Sequence, residues 1–180
     1  MATNTLSLGS KAPDFNLIGV DDKYYSLNSF SDKKAVIIIF SCNHCPYVQA
    51  YEDRIIKIQR DYKEKGVAIV AVNSNDDKAY PEDSFENMKK RAIQKGFNFP
   101  YLRDEEQSVA RAYDATHTPE IFLFDSERRL VFHGKIDDNW QEPEKAVNHY
   151  LRNALDELLA GKEISVPETF TIGCTIKWKS

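Results

Sequence analysis

Cys42 and Cys45 sit three positions apart in the segment IIIFSCNHCPYV, residues 37–48, directly behind a run of hydrocarbon side chains. Two thiols at that spacing can close a small disulfide or hold a soft metal ion, and in either chemistry the thiolate is the working species. His44 lies between them and Pro46 follows. The only other cysteine, Cys174, stands near the far end of the chain. An odd and low count argues against a structural disulfide framework and leaves the close pair for chemistry.

The hydrocarbon run reads as a strand, and a helical pattern begins just after the first cysteine. A thiol at a helix N-terminus is acidified by the exposed N–H groups and the helix dipole. That placement makes Cys42 the expected nucleophile. It attacks a substrate disulfide and forms a mixed disulfide. Cys45, nearly one turn further in and more covered, then displaces the substrate and leaves Cys42–Cys45 oxidised. His44, when protonated, is a candidate for tuning the Cys42 thiolate. Pro46 falls in the first helical turn, where a missing N–H costs little. No bound cofactor is required, because the redox-active disulfide Cys42–Cys45 carries the electrons and another dithiol supplies them.

The alternative for such a pair is half of a metal site, which needs two further ligands. The remaining candidates are Cys174, His44, His117, His133 and His149, with no second C-x-x-C and no H-x-x-x-H. No metal ligand set is therefore assigned. Copper or zinc binding, as in a metallochaperone, stays as the rival from a different class.

Several elements must position these thiols. The 180 residues suit one domain, residues 1–180, with residues 162–180 as a C-terminal tail packed on its body. DFNLIGVDDKYYSLNSF reads as a hairpin turning at Asp21 and Asp22. KAVIIIF and VAIVAVN are β-branched and unbroken, as in strands covered on both faces. Val48, Tyr51, Ile55, Ile58 and Tyr62 recur at helical spacing up to Gly66. Ser84 to Lys95 reads as a second helix and QSVARAY as a short third. EIFLFD and LVFHGKI follow as two strands. Apolar positions from Ala146 to Leu159 give a last, long helix. Strands alternating with helices indicate an α/β fold, a central sheet flanked by helices with an antiparallel pair at one edge and an N-terminal hairpin extension. In the tail, Ile172, Cys174, Ile176 and Trp178 alternate on one face. That face reads as covered, with Cys174 a small apolar residue. If the tail folds over the cysteine pair, Cys174 becomes a third thiol.

Net charge is −4, with Lys and Arg scattered among Asp and Glu, so nucleic acid is excluded as the expected partner. The N-terminal stretch has no basic segment leading into an apolar one, and AVIIIF is far too short to cross a bilayer. The expectation is a cytoplasmic protein without membrane contact. Its partners are protein or small-molecule disulfides and thiols, with an upstream dithiol as reductant.

Taken together, GSKAPDFNL, FSCNHCPYV and HTPEIFLFD, in that order, resemble the thioredoxin superfamily and within it the peroxiredoxin-like redoxin branch. GCTIKW near the end is similar to a tail found in one subgroup of redoxins. The resemblance implies a thioredoxin-like fold and thiol–disulfide oxidoreductase activity, with antioxidant peroxide reduction as the enzymatic alternative. It implies that Thr118–Pro119 is a cis peptide facing the cysteines and offering backbone groups to an extended substrate. Peroxiredoxins carry Thr or Ser three residues before the peroxidatic cysteine; here that position is Cys42 or Ile39, depending on the cysteine aligned. The buried Asp of thioredoxins falls at Val36, and the Glu of related membrane-anchored reductases at Val48. The group that deprotonates Cys45 is thus not named by the resemblance. Glu120, beside Pro119, and His44 are candidates. His117, beside Thr118, is a candidate for tuning Cys42 or moving a proton.

Overall fold

A computed structural model describes residues 6–180. β1 (Leu17–Gly19) and β2 (Tyr24–Tyr25) form the hairpin around Asp21 and Asp22. β3 (Ala35–Ser41) leads into α1 (Pro46–Tyr62), and β4 (Val67–Asn73) follows the left-handed Gly66. α2 (Phe85–Lys95) is capped by the Ser84 hydroxyl, which accepts from the Asn87 N–H. Then come β5 (Tyr101–Arg103), α3 (Ser108–Tyr113), β6 (His117–Thr118), β7 (Glu120–Phe124), β8 (Leu130–Gly134), α4 (Tyr150–Leu159) and β9 (Cys174–Thr175).

Seven strands form one mixed sheet in the order β2-β1-β5-β4-β3-β7-β8. β3, β4 and β5 run parallel, while β7 pairs antiparallel with β3 and β8 with β7. β3 sits centrally and is buried at all seven positions, which explains its unbroken hydrocarbon. Ile37 and Ile39 face Tyr51, Ile55 and Ile58 of α1 together with Leu151 and Leu155 of α4. Val36, Ile38 and Phe40 face the other way, toward Phe30, Val109 and Tyr113. Each such side chain stabilises the fold by roughly 1.5–3 kcal/mol on burial. The packing fixes the carboxyl end of β3, and with it the thiols.

Two elements differ from the sequence pattern. β5 has only three residues, too short to show periodicity, yet it completes the sheet between β1 and β4. The last helix begins at Tyr150 rather than Ala146. The Asp138 carboxylate accepts the backbone N–H groups of Val147 and Asn148 at 2.9 and 3.1 Å, which diverts that stretch from helical bonding.

The tail wraps the body. The Pro167 carbonyl accepts the His133 N–H, and the Thr169 N–H donates to the His133 carbonyl, tying the segment to β8. β9 then pairs antiparallel with β6, in the register His117 with Thr175 and Thr118 with Cys174. Beyond it Ile176 is buried in the core. Among the described residues no helix is long and apolar enough to cross a membrane.

Candidate active site

Residues 42–45 connect the end of β3 to the start of α1. The helix opens at Pro46, so Cys45, in extended conformation, is its N-cap residue. This corrects the expected placement of the helix end, which lies at Cys45 rather than at Cys42. Cys45 forms no side-chain cap hydrogen bond there, and Cys42 lies outside the helix.

The charges follow that geometry. Cys45 is brought down to about 4, first by its hydrogen bond with Cys42, then by Cys174 and Val48, against the cost of burial. Cys42 is pushed up by the hydrogen bond with Cys45, by burial and by the Asp83 carboxylate, with the Thr118 hydroxyl acting in the opposite sense. The two shifts run in opposite directions, down for Cys45 and up for Cys42, which favours the thiolate on Cys45.

Both residues are almost fully covered: Cys42 is 2% exposed and Cys45 1%. What covers them is the β6–β7 corner and the tail. Thr118–Pro119 is a cis peptide. Cys42 Sγ lies 3.5 Å from Thr118 Oγ1, and Cys45 Sγ lies 3.6 Å from the Thr118 carbonyl oxygen. A hydroxyl absent three residues before either cysteine is thus present beside Cys42, delivered from across the site. From the other side Cys174, half-buried, places its sulfur 2.7 Å from Cys45 Sγ. Burial first, then the contact with Cys45, pushes the Cys174 thiol up to about 11. A pocket of about 150 Å³ is lined by all three cysteines together with His44, Asn75, Tyr80, Asp83 and Lys177.

Behind Cys42 lies a buried polar network. Asp83 Oδ1 accepts from the Asn43 N–H at 2.7 Å and from Asn73 Nδ2 at 3.2 Å, and Asp83 Oδ2 from Asn75 Nδ2 at 3.0 Å. The Tyr101 hydroxyl donates to Asn43 Oδ1 at 2.8 Å. At the end of β4 and just past it, Asn73, Ser74 and Asn75 are buried, and Asn75 lines the pocket.

A redoxin family model matches residues 7–151. The chain belongs to the redoxin family. This redoxin is 28% identical to thiol–disulfide oxidoreductase ResA of Geobacillus thermodenitrificans over 127 residues, covering 69% of the chain and 67% of that protein. It thus spans about two thirds of the length of such curated relatives. A hypothetical protein from Sinorhizobium meliloti 1021 superposes with a TM-score of 0.91 at 40% identity, covering 98% of this chain and 97% of its own. An uncharacterized conserved protein from Geobacillus kaustophilus gives 0.91 at 43%, covering 98% and 94%. That coverage takes in the tail segment beyond the family-model match. The thioredoxin-like α/β fold with a mixed central sheet is shared with the solved structure of a putative thiol:disulfide interchange protein DsbE from Chlorobium tepidum, at a TM-score of 0.63 and 26% identity over 72% of this chain and 85% of that one.

Of the residues singled out from sequence, the redoxin fold brings Cys42, Cys45, Thr118 and Cys174 together. His44 is exposed and lines the pocket. His117 is half-buried, and its ring Nδ1 lies 2.8 Å from Thr116 Oγ1 rather than on a sulfur. Glu120 is buried with both oxygens engaged elsewhere. Its Oε1 accepts the N–H groups of Thr116 and His117 at 2.8 and 3.1 Å, and its Oε2 lies 2.6 Å from His133 Nε2. It clamps the backbone that leads into Pro119 instead of serving Cys45 as a base. Cys174 does not share a covered apolar face with its alternating neighbours, since Ile172 and Trp178 are exposed and only Ile176 is buried. Asp83 and Asn43 carry no sequence mark, since they lie in the turn before α2 and in the β3–α1 junction, while Asn73 and Asn75 come from the end of β4 and just past it.

Among the described residues no group of three or more His, Cys, Asp or Glu is arranged to hold a metal ion.

Proposed function

We propose that Cys42 and Cys45 carry the thiol–disulfide oxidoreductase activity of this redoxin, and that the pair reduces disulfide substrates. The supporting observation is the placement of both thiols at the strand-to-helix junction against Thr118, with Cys42 Sγ 3.5 Å from its hydroxyl and Cys45 Sγ 3.6 Å from its carbonyl oxygen, in one shared pocket. Cys42 is the attacking sulfur. As it attacks a substrate disulfide its proton passes to the adjacent Cys45 thiolate, and the first substrate thiolate departs. Cys45 gives that proton to the departing group and attacks Cys42 Sγ. The second substrate sulfur leaves and Cys42–Cys45 is oxidised. Two electrons have moved from the dithiol to the substrate, and the substrate leaves as one thiol and one thiolate.

The thiolate on Cys45 stabilises the reduced form, so an upstream dithiol refills the pair readily. The same stabilisation confines its substrates to disulfides that are easily reduced. In a reducing compartment such as the cytoplasm the net direction is reduction.

The test counts free thiols while reduced protein meets, separately, a model aromatic disulfide, hydrogen peroxide and zinc or copper(I). The expected result is rapid loss of two thiols with the disulfide and its absence in Cys42→Ser. Much faster loss with peroxide, abolished in the same variant, replaces this reading with a thiol peroxidase. Stoichiometric metal retention replaces it with a metal carrier.

A further inference from the structure

We propose that Cys174 is a third redox thiol, and that the disulfide migrates from Cys42–Cys45 to Cys45–Cys174 so that oxidation reaches the surface through the tail. The proposal rests on the dithiol reading above and extends it.

Four observations carry it. The sulfurs of Cys45 and Cys174 are 2.7 Å apart, closer than Cys42 and Thr118 come to each other at 3.5 Å. The contact is built by backbone pairing: β9 occupies β6, and Cys174 stands opposite Thr118. Short strand edges of this kind accept an extended segment by main-chain hydrogen bonds, and here the segment is the chain's own tail. Next, Gly173 meets the Thr118 carbonyl so closely that a methyl group there would overlap it. The tail therefore approaches as near as a backbone can. Third, the tail is fastened just past Cys174. The Ile176 N–H donates to the Thr116 carbonyl, the Lys177 N–H to Asn75 Oδ1, and the Lys177 carbonyl accepts from the Asp76 N–H and from Gln107 Nε2. Ile176 is buried and Arg111 lies over the Trp178 ring. Finally, Cys42 and Cys45 are 2% and 1% exposed, whereas Cys174 is only half-buried. Of the three cysteines it presents the most surface to an external dithiol.

The exchange balances without any added oxidant. Cys174 gives up its proton and attacks Cys45 Sγ of the Cys42–Cys45 disulfide. The Cys45–Cys174 bond forms, the Cys42–Cys45 bond breaks, and Cys42 leaves as thiolate and takes up a proton. No electrons enter or leave. An upstream dithiol then attacks Cys174 Sγ and releases Cys45 as thiolate. The second thiol of that reductant displaces Cys174, and two electrons have entered the protein.

The test oxidises the full-length reduced protein with one equivalent of a model aromatic disulfide. Samples taken over time are quenched in acid and alkylated, and their disulfides are mapped by mass spectrometry. The expected map shows Cys42–Cys45 first, then a Cys45–Cys174 cross-link with Cys42 alkylated. Re-reduction of oxidised Cys174→Ser by dithiothreitol is expected to slow by about tenfold or more, since the least covered of the three thiols is gone. A map holding only Cys42–Cys45, with Cys174 alkylated at every time, overturns the proposal and leaves the dithiol reading standing. Failure of the parent to lose two thiols, or equal loss in Cys42→Ser, overturns that reading and the relay with it. The map needs no variant, so a folding defect in Cys174→Ser does not decide the outcome.

Discussion

The carboxylate of Asp83 accepts the backbone N–H of Asn43 at 2.7 Å, one residue past Cys42. It is 2% exposed and also takes amide donors from Asn73 and Asn75. One group therefore shapes the loop that carries Cys42 and places negative charge beside its sulfur, which raises that thiol. Asp83→Asn separates these effects. Removing the charge is expected to lower the Cys42 titration, read as the pH dependence of its alkylation. The new side-chain amide meets donors already aimed at the carboxylate, an unsatisfied arrangement worth about 1–3 kcal/mol of stability by urea unfolding. An unchanged alkylation profile would remove Asp83 from the electrostatics of the site.

Cys45 links pH to stability in a direction that can be worked out. Its folded value of about 4 lies below the ordinary thiol value of 9.0. For an acid depressed in this way, the stabilisation is full above the unfolded value and is lost as pH falls toward the folded one. Cys42 and Cys174 are raised instead, so each disfavours the folded state once pH passes the ordinary thiol value. The urea midpoint of the reduced parent, minus that of Cys45→Ser, is expected to rise from about pH 4 to about pH 9. A flat difference across that window would show that Cys45 is not the anionic sulfur.

The sequence carried the fold where the chain is periodic or unbroken. β4 matches VAIVAVN residue for residue, and Gly66 and Gly96 end their elements in left-handed conformation as their positions suggested. The thiol pair was plain from spacing. What the sequence could not carry was the detail of the junction. Whether a helix begins after Cys42 or after Cys45 depends on three residues whose propensities do not decide it, yet that choice selects which sulfur the helix end serves. Nor does any local pattern show that Cys174 meets Cys45 across 129 positions of chain, because two-residue strands have no period to read. Glu120 was visible as a buried-strand acid beside Pro119, but its partners, Thr116, His117 and His133, were not.

His133 and Glu120 make a second titrating pair behind the β6–β7 corner. Burial works against charge on His133, and its bond to Glu120, aided by Glu168, more than offsets that, so its value rises. A raised histidine contributes stability that is full below the ordinary value of 6.5 and fades as pH rises through the folded value. His133→Ala leaves the Glu120 carboxylate with one oxygen unpartnered, at a cost of about 1–3 kcal/mol. The loss is expected to be larger at pH 6 than at pH 9 in parallel urea titrations. An equal loss at both would mean that packing, not the ion pair, is what His133 supplies.

Gly173 tests whether the tail's contact with the cysteines depends on how closely the two backbones meet. In Gly173→Ala the added methyl overlaps the Thr118 carbonyl, a group fixed by β6 and by Pro119, so the tail is the part that must move. Such overpacking costs about 1–3 kcal/mol. Its local signature is specific: the Ile176 N–H bond to the Thr116 carbonyl lies three residues on and should loosen with the tail. Hydrogen exchange at Ile176 is expected to quicken while exchange in β3 and β4, remote from the contact, stays slow. Cys42 and Cys45 remain paired by the β3–α1 junction, so the first disulfide still forms, but the Cys45–Cys174 cross-link should appear more slowly. Parent-like exchange at Ile176 together with parent-like cross-linking would show that β9 is not held by its approach to Thr118.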